Sequence, residues 1–196
     1  MPLWGAAEGS ESLPKFLTTA QQKDVFANQS GWVVEAGSAM TGNGNTSADP
    51  EILVAIGGLA GASGTTGLGE ATINTVDWNT TAWSRAAGGT LSVTVRYNET
   101  VTVATSNPTI IVTNDQRANH TLTYASGTGT HELTFTIAIA AANAATNADD
   151  VLSIAAQSIV LASSSTIKDT SDTPANAELA ISSAQGTACG TVTVVA

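Results

Sequence analysis

Two histidines, His120 and His131, are the side chains of this sequence best suited to proton transfer near neutral pH. A catalytic histidine needs a nucleophile or second proton carrier within hydrogen-bond reach. Instead the two flank one run of turn residues, Gly127-Thr128-Gly129, and no Gly-x-Ser-x-Gly segment occurs. They read as two surface residues of one hairpin, and no catalytic residue is assigned. Asp149, Asp150, Asp169 and Asp172, with Asn147, supply the oxygen ligands that calcium takes, but not at EF-hand spacing. They read as solvated loops, so no metal ligand is assigned. The glycines at 57, 58, 61, 64, 67 and 69 precede no Lys-Ser or Lys-Thr and read as a connector rather than a phosphate cradle. No cofactor is expected. Cys189 is the single cysteine, which leaves no internal disulfide and no thiolate cage. Five Asn-x-Ser/Thr triplets, at Asn28, Asn45, Asn79, Asn98 and Asn119, are the chance yield of an Asn- and Thr-rich chain.

The charge balance narrows the partners. Six basic residues stand against sixteen acidic ones, a net charge of -10. Lys15, Lys23 and Arg85 lie in the first half and Arg96, Arg117 and Lys168 in the second, so neither half offers a basic patch. With nothing to neutralise phosphates, neither nucleic acid nor anionic membrane is expected as a partner. Charged residues make up only 11% of the 196 and aromatics 5%, a lightly charged structural composition. No apolar run approaches the roughly 20 residues of a membrane span. The opening Met1-Pro2-Leu3-Trp4-Gly5 lacks the basic and apolar regions of a secretory signal.

The elements that would position these residues are strands. In Gly89 to Val103, Leu91, Val93, Val95 and Tyr97 alternate with Ser92, Thr94 and Arg96, the period of a half-buried strand. Similar β-branched runs recur at 108–113, 121–124, 132–139, 151–154, 158–161, 178–181 and 191–195, separated by Gly, Asn, Asp, Ser and Pro. That pattern, with no helix read between the runs, predicts an all-β chain and a β-sandwich over residues 70–196. Gly127-Thr128-Gly129 predicts a hairpin. Trp78 and Trp83 are expected to pack against the first sandwich strand. Residues 1–69 form a small, mostly irregular N-terminal segment ending in the glycine-rich connector. Within it, Thr18 or Thr19 caps a short helix through Asn28, residues 31–35 and 52–59 are strand candidates, and 38–50 is a loop.

Two resemblances attach to these residues. Ala71-Thr72-Ile73-Asn74-Thr75-Val76, Gly89-Thr90-Leu91-Ser92-Val93-Thr94-Val95, Thr123-Tyr124-Ala125-Ser126-Gly127-Thr128-Gly129, Leu133-Thr134-Phe135 and Thr166-Ile167-Lys168-Asp169 resemble the strands and turns of bacterial Ig-like adhesin repeats. Leu3-Trp4-Gly5, Leu13-Pro14-Lys15-Phe16-Leu17, Val25-Phe26-Ala27, Gly31-Trp32-Val33 and Glu51-Ile52-Leu53-Val54-Ala55-Ile56-Gly57-Gly58-Leu59 resemble small structural proteins of marine T4-like cyanophages.

Together these imply a non-enzymatic virion protein on the capsid surface, a decoration or cement protein displaying an Ig-like domain. The partners so implied are the major capsid protein, further copies of the chain and a host-surface glycan. Trp4, Phe16, Leu17, Phe26 and Trp32 would form the capsid interface, since large aromatics on a short segment favour docking. The competing reading is a small local core with Ile52, Val54 and Ile56. A surface or carbohydrate-binding adhesin module, or a phage neck or tail component, is the alternative function.

Overall fold

A computed structural model describes residues 13–14, 16–28, 30–55, 70–105, 107–162, 164–170 and 173–196. In chain order a 3-10 turn (Gln21–Asp24) precedes β1 (Val25–Asn28), β2 (Gly31–Val34), β3 (Glu51–Ala55), β4 (Ile73–Trp78), β5 (Trp83–Ser84) and β6 (Gly89–Ala104). β7 (Thr109–Asn114), β8 (His120–Ser126), β9 (Thr130–Ile139), β10 (Val151–Ser153), β11 (Gln157–Ser158), β12 (Thr166–Asp169) and β13 (Ala180–Ile181) follow, then helix α1 (Ser183–Cys189) and β14 (Thr191–Val195).

β6 holds the molecule together. Its first half runs antiparallel to β9, from Gly89↔Ile139 to Arg96↔Glu132, and on its other edge to β4 through Val76↔Val95. The register with β9 then shifts between Arg96 and Val101, and the second half pairs with β12, Thr166 facing Ala104. Beyond β9 the hydrogen-bonded path continues through β8, β7, β10 and β14 to β5. Ile73 of β4, Leu91 of β6, Val112 of β7, Leu152 of β10 and Val194 of β14 nevertheless share one buried core. Strands so far apart along the path meet because the sheet folds over onto itself, the β-sandwich-like arrangement that the alternating pattern predicts. Leu91, Val93, Val95 and Tyr97 are all buried on the expected face, and Trp83 joins them while Trp78 packs at the margin.

The hairpin β8–β9 forms as read, with Tyr124 opposite Phe135 and their rings edge to face at 6.1 Å. Gly127 permits the turn: its φ is 113° and a Cβ there would strike the Glu132 carbonyl oxygen.

Two expectations about helices are corrected. The helix expected through Asn28 is only the turn Gln21–Asp24, started by reciprocal bonds between Thr18 and Gln21: Gln21 N donates to Thr18 Oγ1 at 3.3 Å, and Thr18 N donates to Gln21 Oε1 at 2.9 Å. Val25 and Phe26 then leave it because they pair with Val34 and Val33 of β2, and strand pairing overrides a weak helical preference. Conversely, α1 stands where no helix was read. Ser182 accepts from Gln185 N at 3.2 Å and Gln185 Oε1 accepts from Ser182 N at 2.7 Å, a complete capping box.

Strands β1, β2 and β3 form an antiparallel meander; the loop expected at 38–50 is present and begins earlier, at Glu35, where β2 has already ended. β1 joins β6 in parallel, Ala27 opposite Glu99, so described residues of the N-terminal segment share a sheet with the sandwich. The glycine connector at 57–69 and Ile56 lie outside the described residues.

Candidate functional site

The five residues expected at a docking interface separate by burial. Trp32 is 1% exposed, and Phe26 and Leu17 are also buried. Trp32 sits in a core with Leu17, Val25, Ala27 and Val34, closed over by Leu13, Met40, Leu53 and Val54. The β1–β2 hairpin and β3 supply enough apolar surface to enclose an indole, so Trp32 and Leu17 lie in a local core that includes Val54 of its expected members but not the exposed Ile52, and the expectation that Trp32 and Leu17 are presented to a partner is corrected. Phe26 leaves that core to stack on His131, ring centroids 4.3 Å apart and planes 13° from parallel. Trp4 lies outside the described residues. Phe16, by contrast, is 56% exposed. With Leu53, Val54 and Ala55 it lines a shallow depression of about 400 Å³ beside β3, where Ile52 is 55% exposed. β3 ends the strand path, and its outer edge carries no paired strand among the described residues.

A polar cluster occupies the junction between meander and sandwich. Glu35 follows β2, while His131 and Glu132 open β9. One ligand-type atom from each of these three lies within 4.8 Å of the others. Arg96 of β6 divides its guanidinium between Glu132 Oε1, 2.5 Å from Nε, and Asp77 Oδ2, 2.8 Å from Nη1. Lys23 pairs with the other oxygen of Asp77, and Asp24 accepts from the Ser38 hydroxyl at 2.6 Å. Burial, reinforced by the charges of Glu132 and Asp24, pushes the Glu35 carboxyl up against the pull of Arg96. Burial alone would raise the Asp77 carboxyl, but the Lys23 and Thr75 hydrogen bonds and the charges of Lys23 and Arg96 together hold it below the ordinary range.

The histidines are not surface residues, which corrects the reading made from sequence. His131 is 3% exposed and His120 5%, and the Nε2 of each has no hydrogen-bond partner. Burial lowers both imidazole pKa values, opposed at His131 chiefly by Glu132 and at His120 by Asp150. Strand parity could have revealed this. His131 falls in step with Leu133 and Phe135, and His120 with Leu122, all inward residues.

Two of the acidic loop residues are likewise interior. Asp150 accepts from Asn114 Nδ2 at 3.0 Å and Asn147 N at 2.8 Å and pairs with Arg117 at 3.3 Å, while buried Asp169 accepts from Ala175 N at 3.0 Å. They tie loops to strands rather than sit in solvent. Asp149 is exposed, and Asp172 lies outside the described residues. Cys189 ends α1, half-buried, and burial raises its thiol to about 11, so little thiolate forms near neutral pH. No helix among the described residues is long and apolar enough to cross a membrane.

No family model, no curated protein and no solved structure matches the chain.

Proposed function

We propose that this chain is a structural protein of a phage virion, seated on the outside of the capsid as a decoration or cement protein. The observation that carries the reading is the outer edge of β3. There Phe16 and Ile52 are exposed beside an apolar depression, on the stretch that resembles cyanophage structural proteins. A strand edge that carries no paired strand among the described residues and exposes apolar side chains is a template for another chain. The major capsid protein is the occupant this reading assigns to it. The sandwich, resembling an Ig-like repeat, then stands away from the lattice, and the net charge of -10 keeps the displayed surface hydrated. The role is structural and calls for no reaction.

Quantitative mass spectrometry of purified particles of the encoding phage tests it. Copy numbers in the hundreds fit decoration. About a dozen copies would place the chain in the neck or tail, and absence from the particle would end the virion reading in favour of a surface-binding module. On particles lacking the chain, Phe16→Asp should abolish rebinding; undiminished rebinding would move the docking surface away from β3.

A further inference from the structure

We propose that Glu35, His131 and Glu132 bind a divalent first-row transition-metal ion, of which Zn2+ is the type, tying the end of β2 to the start of β9. This stands independently of the virion reading.

The three ligand-type atoms converge within 4.8 Å although the residues come from stretches about a hundred positions apart in sequence. Ligands of Zn2+ lie at about 2.0–2.2 Å from the ion, hence roughly 3–4 Å from one another. Contraction by about an ångström closes the triangle, and rotations of two glutamate side chains supply it. His131 provides the second, independent observation: it is almost wholly buried, yet its Nε2 meets no donor or acceptor. Buried polar atoms are nearly always satisfied, so one left open on a residue of this cluster is available to a ligand. Phe26 stacked on the imidazole fixes the plane of the ring.

Charge points the same way. Asp24, Glu35, Asp77 and Glu132 bring four carboxylates to the junction, against Lys23 and Arg96. Two negative charges remain, which one divalent ion neutralises. Arg96 does not compete for the same place, because its guanidinium is shared between Asp77 and one oxygen of Glu132. The ion pair also orients Glu132, as outer-sphere partners of metal ligands do. An imidazole with two carboxylates selects zinc, manganese or iron over calcium and magnesium, which prefer all-oxygen sites.

The intact chain, stripped with a chelator, is titrated with ZnCl2 by calorimetry and its Tm followed. One ion per chain with a raised Tm is expected. Glu35→Gln, at a half-buried position, should weaken binding at least about tenfold, and so should Glu132→Gln. His120→Gln should leave it unchanged. Bound Co2+ should give the ring protons of His131 the large contact shifts of a coordinated imidazole, which those of His120 should lack. Absence of Zn2+ and Co2+ uptake would overturn the site, as would uptake undiminished in Glu35→Gln. Because cooperative melting of Glu35→Gln without metal reports its folding separately, weakened binding in that variant cannot be mistaken for unfolding.

Discussion

An indole that fills the centre of a small core has no face left for a partner, and that decides what a substitution at Trp32 does. Trp32→Ala should lower stability by about 3–5 kcal/mol, the range for deleting a large buried aromatic. Phe16→Ala, removing an exposed ring, should change it by no more than about 0.5 kcal/mol. Urea midpoints check both, and equal effects would mean that Trp32 is not enclosed as described. Which aromatic would be inside was only half legible in the sequence. Trp32 adjoins Val33 and Val34, and every residue of β2 is buried, so the strand shows no alternation from which to choose a face. His131 was legible, because parity with Leu133 and Phe135 puts it indoors. Its neighbours Glu35 and Phe26 were not, since they arrive from the meander, and their approach is set by one parallel pairing that leaves no trace in local pattern.

Among the elements, the long strands of the sandwich were readable because β-branched residues recur with period two between turn residues, whereas β1 was taken for helix and α1 was hidden by its composition. Ser182 and Gln185 mark its start, but Gly186 in its middle reads as a breaker. The structure explains that glycine: a Cβ would run into the backbone carbonyl of Ile154, just after β10. Gly186→Ala therefore sets two effects against each other. Helix propensity gains about 1 kcal/mol. Overpacking against a main-chain atom costs about 1–3 kcal/mol. The clash is with backbone, which cannot swing aside as a side chain can, so a net loss is expected in chemical denaturation. A stabilised variant would show that α1 does not press on this segment. The turn at Gln21–Asp24 carries the converse lesson: a capping pair was present in the sequence, but the residues after it had strand partners waiting.

At the scale of the molecule, charge links the meander to the sandwich and makes their union sensitive to acid. The Asp77 carboxyl, paired with Lys23 and Arg96, has its folded pKa held below the unfolded value of about 3.9. Its contribution is complete above that value and disappears as pH falls through the lower, folded one. The stability difference between the wild type and Asp77→Asn should therefore be constant from about pH 7 to pH 5 and shrink below about pH 4. A difference unaltered at pH 3 would show that the pairing is not electrostatic. The overall sandwich could be anticipated from the count and spacing of strands; the order of their pairing could not, because partners are chosen by packing across long sequence separations. β6 illustrates this most fully, drawing β1, β4, β9 and β12 to one strand from both sides of it in the chain. A ribosome releasing this chain would find β6 without its principal partner until residue 139 has emerged, and β5 unpaired until the last strand, β14, is free. Folding must then wait on closure of long loops, which places it among slow, topology-limited chains with times of milliseconds to seconds and leaves strand edges bare in the interval.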